Sequence, residues 1–232
     1  MKQILSITIT MLICSAVFCQ DQLRIDVFPN NYKPVFECEL PKADRIRDIQ
    51  EGYPSDWIRE EEYISTRLTL QGIEVLVAEG KNESFSMSQK EILAKATVGD
   101  DIIIDVVYRE ENAATNEPDK RHLSFELSVV PDSKALFPGG GSALDNYIQE
   151  QVISKLPAHG KTDLELVSFV FTVDRYGKTV DIEMKEFCPL MQVQSLIIDA
   201  ISAMPRWEPA KDKIGESVPQ EFQLRLGYMV GC

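Results

Sequence analysis

The chain has 232 residues, 44% of them hydrophobic, which is enough apolar material for one large or two small cores. Lys and Arg number 24 against 37 Asp and Glu, a net charge of −13. That balance argues against a nucleic-acid partner, because phosphate backbones are held by clustered Lys and Arg; its plainest meaning is solubility.

The chain begins as an export signal does. Lys2 supplies the positive start, Ile4 to Phe18 is an apolar run relieved by Ser6, Thr8, Thr10 and Ser15, and Asp21 ends it. A membrane-spanning helix takes roughly 20 apolar residues, and this run is shorter, as signal peptides are. Residues 1–19 are read as a signal peptide cleaved after Cys19, with Val17 at the −3 position. Two alternatives stay open. One is a lipoprotein acylated at Cys14 or Cys19, although the bulky Ile13 and Phe18 precede them; the other is an uncleaved signal that anchors the chain in the inner membrane. Export implies the periplasm, an oxidising compartment. Cys38, Cys188 and Cys232 then remain, and three thiols allow one disulfide. Cys188 and Cys232, both at the ends of predicted strands, are the first candidate pair; three unpaired thiols are the alternative.

Residues 20–65 read as an irregular N-terminal segment. Pro29, Pro34, Pro41 and Pro54 interrupt any long element. Asp44 to Gln50 has the length of a short helix, and Arg59-Glu60-Glu61-Glu62 reads as a solvated charged face.

Residues 66–131 predict a small β-rich, sandwich-like domain. Leu68 and Leu70, then Ile73, Val75 and Val77, alternate with the strand period. Ser86-Met87-Ser88-Gln89-Lys90-Glu91 holds two overlapping capping boxes, Ser86 with Gln89 and Ser88 with Glu91. A short helix to Ala96 follows and Gly99 closes it. Ile102, Ile104 and Val106 form the next strand, and 109–120 is a polar loop with Asn112, Asn116 and Pro118. Leu123, Phe125, Leu127 and Val129 alternate with Ser124, Glu126 and Ser128, a half-buried strand. Pro131 to Lys134 is a short linker, so the two domains are expected to pack together or hold a fixed angle.

Residues 135–230 carry the cleanest pattern. After Phe137-Pro138-Gly139-Gly140-Gly141, Ser142 is placed as a helix cap with Asp145 three residues on. Leu144, Ile148 and Val152 then share a helical face. Leu164 to Val173 is apolar on both faces, which suggests a central strand; Asp174-Arg175-Tyr176-Gly177 turns the chain, and Val180, Ile182 and Met184 return antiparallel. Val193, Leu196, Ile197, Ala200, Ile201 and Met204 line one side of a second helix, which Pro205 ends. Val218, Phe222, Leu224, Leu226 and Tyr228 alternate with Glu221, Gln223 and Arg225 in a last strand. The order helix, hairpin, helix, strand gives an α+β domain with two helices on a small antiparallel sheet.

Catalytic signatures are missing. The glycines before Ser142 lack the lysine of a phosphate-binding loop, so they read as a tight turn into the helix. Gly-x-Ser-x-Gly is absent as well. The two histidines, His122 and His159, fall in different predicted domains without a zinc-type spacing around them. No cofactor and no metal is expected.

The Phe137-Pro138-Gly139-Gly140 opening and the Met204-Pro205-Arg206-Trp207-Glu208-Pro209-Ala210 corner resemble the C-terminal domain of TonB-type energy transducers. The likeness covers about residues 135 to 230. Gly80 through Ile102 resembles β-rich periplasmic domains of gliding-motility and secretion-motor proteins, which implies an interaction or spacer role. The first resemblance implies a binding module with no catalysis. Its final strand would be a sheet edge that pairs with an extended peptide of an outer-membrane receptor by β-augmentation. By position that edge is Glu221, Phe222, Gln223, Leu224, Arg225, Leu226, Gly227 and Tyr228, with Glu221, Gln223 and Arg225 toward solvent. Strand properties alone favour an ordinary edge guarded by its charges; the resemblance tips the reading. The same edge offers a route to a homodimer. Trp207 is expected to cover the core beside the second helix.

The chain departs from the family pattern at Leu190-Met191-Gln192-Val193-Gln194-Ser195 and at Leu224-Arg225-Leu226-Gly227-Tyr228, which bears on partner selectivity. A long Pro-rich linker between Phe18 and Gly80 is also missing, so without an anchor the chain would not couple inner-membrane energy by itself. The expectation is an exported periplasmic module that pairs with extended segments of outer-membrane receptors or other envelope proteins, in TonB-dependent transport. It calls for no small-molecule substrate. The alternative is a structural component of an envelope assembly, with residues 66–131 as its contact surface; an enzyme comes third, for want of a supporting constellation.

Overall fold

A computed structural model of the chain describes residues 23–54, 56–59, 62–112, 117–156, 166–186 and 191–228. The proposed signal and the Cys188–Cys232 pair lie outside the described residues, as does His159. The architecture is mixed α+β.

In the N-terminal half, period-two alternation builds one sheet. Strands β2 (Pro34–Phe36), β3 (Tyr63–Gln71), β4 (Leu76–Gly80), β5 (Asp101–Asn112) and β6 (Glu117–Val130) align in the order β2-β6-β5-β3-β4. All neighbours are antiparallel except β2 with β6. Leu68, Leu70, Ala78, Ile102, Ile104, Val106, Leu127 and Val129 turn to one buried face. Against that face pack Ile92 and Leu93 of helix α2 (Met87–Lys95) and a group from residues 35–58: Val35, Leu40, Ala43, Ile46, Ile49, Tyr53 and Ile58. Ile46 and Ile49 belong to the short helix α1 (Ile46–Ile49).

Three readings of this half change. It holds a single sheet covered by helices and loops among the described residues, where a sandwich was expected. The segment read as irregular is part of its core, because the prolines break it into short pieces without removing its apolar residues. The polar loop is shorter than 109–120: Arg109 pairs with Lys120 and Asn112 with Glu117, so the strands run on as a long exposed hairpin.

Of the two capping boxes, the first forms. The Ser86 hydroxyl accepts from Gln89 N at 3.3 Å while Gln89 Oε1 accepts from Ser86 N at 2.9 Å. Gln89 is itself buried, and its Nε2 donates to the carbonyl of Thr66, so the cap also ties α2 to β3. Ser86→Ala is expected to cost about 1 kcal/mol, read as a lower urea midpoint at unchanged slope.

In the C-terminal half, β1 (Leu23–Pro29), β7 (Val167–Val173), β8 (Thr179–Glu186) and β11 (Gln220–Tyr228) form an antiparallel sheet in the order β1-β11-β7-β8. Helices α3 (Gly141–Gln151) and α4 (Met191–Ser202) pack on it through Leu144, Ile148, Val193, Ile197, Ala200 and Ile201. A two-residue pair, β9 (Ala210–Lys211) with β10 (Ser217–Val218), stands beside this sheet. Ser142 is not the helix cap. Gly139 (φ 85) and Gly140 (φ 78) bring the helix start forward, and Gly140 caps α3 with no side-chain bond.

The corner after α4 is the most densely aromatic point of the molecule. Trp207 is 4% exposed, with ring centroids of Phe137, Phe222 and Phe171 at 5.4, 5.0 and 6.1 Å. Its backbone N donates to the Gly177 carbonyl at 2.8 Å, which docks the corner on the β7–β8 turn. The two halves are joined by a buried charge: Glu37, 3% exposed, lies 3.2 Å from Lys213 Nζ and also accepts from Lys213 N at 3.2 Å.

Candidate functional site

β11 is not an edge. Its one side pairs with β7 from Gln220↔Val173 to Leu226↔Val167, and its other side pairs with β1 from Leu23↔Tyr228 to Pro29↔Phe222. The expected open edge at Glu221–Tyr228 is therefore occupied by the chain's own N-terminal segment. The physical reason lies in Leu23-Arg24-Ile25-Asp26-Val27-Phe28-Pro29, whose Ile25 and Val27 alternate with Asp26 and Phe28 in a half-buried strand pattern. Nothing local to that segment reveals a partner almost two hundred residues away.

The register sorts the side chains. Phe222, Leu224 and Leu226 face the core at 4%, 0% and 0% exposure. Opposite them, Ile25 and Val27 are half-buried against the same cluster. The other face carries Asp26 across from Arg225 and Phe28 across from Gln223. The Arg225 guanidinium stands 5.0 Å from the Phe28 ring centroid, a cation–π contact. At the end of the strand, Asn30 N donates to the Glu221 carbonyl at 2.9 Å and the Asn30 amide donates to the Glu221 carboxylate. Gln220, buried, accepts from Ala135 N at 2.7 Å and ties β11 to the linker. Gln223 donates to Ser168 of β7.

Two half-buried aliphatics contribute on the order of 1 kcal/mol each, and a backbone hydrogen bond nets about 1 kcal/mol. β1 is thus held chiefly by main-chain pairing on one side and by two half-buried side chains, beside β11, whose core residues are sealed. The far edge of the sheet is built differently. β8 carries Asp181, Glu183, Lys185 and Glu186, its register with β7 shifts twice, and Asp181 sits at φ 51. Charges and bulges of this kind close an edge to strand addition.

The other places that chemistry could occur offer little. A cleft of about 500 Å³ is lined by Arg45, Asp56, Ile58, Arg59, Tyr63 and Glu83. Both arginines are already neutralised, Arg45 by Glu83 at 3.6 Å and Arg59 by Glu62 at 2.6 Å. Nearby, the Tyr53 and Tyr63 hydroxyls share a 2.7 Å hydrogen bond, and burial pushes the Tyr53 pKa far up, away from proton transfer at neutral pH. His122 pairs with Asp105 at 3.1 Å on the exposed sheet face. Cys38 is free, and the neighbouring Asp132 carboxylate pushes its thiol pKa up. No cluster of metal-ligating side chains occurs among the described residues, and none of their helices is long and apolar enough to cross a membrane.

A second surface was misread in the sequence. Ile73, Val75 and Val77 are not core residues: they are 110%, 63% and 54% exposed at the β3–β4 turn and on β4, a terminal strand of the N-terminal sheet among the described residues. The β3–β4 turn keeps the phase of Leu68 and Leu70, so that Ala78 and Leu76, paired with them, face inward instead.

Comparison of the chain with protein-family models, with curated proteins and with solved structures yields no match in any of the three.

Proposed function

We propose that this chain is a non-enzymatic binding module of the bacterial periplasm that takes up an extended segment of an outer-membrane receptor or other envelope protein by strand addition to β11. The observation that carries the reading is the pairing of β11 with β1. The outer side of β11 accepts an extended segment remote in sequence, over seven residues in register, with alternate side chains entering the core. That is the geometry β-augmentation uses: main-chain bonds give affinity and alternate pockets give selectivity. The resemblance of residues 135 to 230 to TonB-type C-terminal domains points the same way, with the acceptor edge here filled in cis. Titrating receptor-derived peptides into the full chain, with backbone amide shifts followed, tests it. Shifts centred on residues 220–228 are the expected result; saturable binding that leaves those amides unmoved sinks this site.

One observation favours a second reading, a structural component of an envelope assembly. Ile73, Val75 and Val77 form an exposed apolar edge, which soluble proteins usually protect. Val77→Lys would abolish partner capture on that reading and leave it intact on the first.

A further inference from the structure

We infer that β1 is an exchangeable plug: Leu23–Pro29 occupies the acceptor side of β11 in competition with an extended peptide in trans, and its side-chain order describes the peptide that displaces it. The inference rests on the binding reading above and adds to it a built-in competitor and a ligand pattern.

Three features set β1 apart from β11 and β7. It is a terminal strand, with β11 on one side and no strand of the described residues on the other. All five of its residues from Ile25 to Pro29 are only half-buried, while the β11 residues beneath are sealed. It leaves the sheet at once through Asn30–Lys33, where Lys33 takes φ 45, and enters β2 of the other sheet. Asn30 and Asn31 line an open cleft of about 380 Å³ with Gly99, Pro131, Pro219 and Glu221, and hydrogen bonds hold the connection there, from Asn30 to Glu221 and from Ser128 N to the Tyr32 carbonyl at 3.1 Å. A strand paired on one side only, with half-buried side chains, can leave without opening the pairing of β7 with β11.

The seat also specifies its occupant. Two aliphatic side chains, two residues apart, must fill the positions of Ile25 and Val27 above Leu226 and Leu224. Between them an acidic residue fits across from Arg225, as Asp26 does, and an aromatic fits under its guanidinium, as Phe28 does. A following Asn or other amide would meet Glu221, as Asn30 does. The partner is therefore an extended peptide of the pattern aliphatic–acidic–aliphatic–aromatic, running antiparallel to β11.

The test uses the full chain and a synthetic peptide covering residues 22–31. In an Ile25→Asp/Val27→Asp variant β1 no longer competes. Because a closed site lowers apparent affinity by the fraction of open molecules, the peptide should bind the variant at least about tenfold more tightly than the wild type. Circular dichroism must show the variant folded, and its amide shifts should fall on 220–228. Equal affinity for both proteins, or no binding to the folded variant, overturns the plug. Hydrogen exchange of the wild type without peptide gives an independent reading: β1 amides should exchange well before those between β11 and β7. If β1 exchanges only with global unfolding, it is an integral strand and the plug is wrong even if receptor peptides bind elsewhere, which would leave the binding reading standing. Concentration-dependent dimerisation of the wild type through exchanged β1 strands would overturn the assignment of a foreign peptide as occupant.

Discussion

Trp207→Ala is expected to destabilise the protein by about 3–5 kcal/mol, the range for removing a buried large aromatic. The indole meets Phe137, Phe171 and Phe222, so one deletion unseats the linker segment, the central strand and β11 together. Its ring nitrogen is buried with no hydrogen-bond partner among the described residues, so the cost is taken as that of packing. Trp207→Phe should recover much of the loss, since ring contacts with Phe137 and Phe222 survive. Urea unfolding followed by far-ultraviolet circular dichroism measures both.

Gly177→Ala should be nearly as severe, about 2–4 kcal/mol, for two independent reasons. Gly177 sits at φ 78, where an L side chain is strained. A Cβ there would also fall 2.0 Å from the Trp207 carbonyl oxygen, which belongs to the backbone and cannot rotate away. The turn itself is well made: the Asp174 carboxylate accepts from Tyr176 N at 2.8 Å and Lys178 N at 2.9 Å. The loss should therefore come from the docking of turn on corner. In a double variant with Trp207→Ala the two penalties should fall short of additive, because the corner is already loosened.

The corner was readable because its signals are local. A proline ends α4 directly after a one-sided apolar helix, and a tryptophan follows within reach of the same face. The buried positions of α3 and α4, the antiparallel return of β8 and the Ser86 cap come from the same short-range patterns. What escaped was long-range pairing. The prolines at 29, 34, 41 and 54 made residues 20–65 look irregular, yet two of them mark strand ends: Pro29 closes β1 and Pro34 opens β2. Alternation told that 220–228 is a strand and which residues face inward, but no periodicity says what stands on its other side. Ile73, Val75 and Val77 show the complementary failure. The turn kept the phase of Leu68 and Leu70, and three apolar residues in strand spacing on the opposite phase ended outside.

The correction at β11 reshapes the functional account. An open edge would bind whatever extended chain arrived; a filled one binds only what outcompetes its occupant. On the proposed reading, selectivity resides in the difference between two strands on one seat, each meeting Leu224, Leu226, Arg225 and Gln223. The charged, bulged β8 edge leaves β11 as the side of this sheet suited to that exchange.

A reversible covalent lock asks the question most directly. Asp26 and Arg225 stand opposite each other across the β1–β11 pair, and directly opposed antiparallel residues have Cα separations of about 4.5–5.5 Å, within disulfide range. With Cys38, Cys188 and Cys232 replaced by serine, Asp26→Cys/Arg225→Cys should cross-link β1 to its seat. The oxidised protein should lose the peptide binding that the same variant shows when reduced, where loss of Arg225 weakens binding relative to the wild type without abolishing it. Undiminished binding by the fully cross-linked protein would contradict strand exchange at β11.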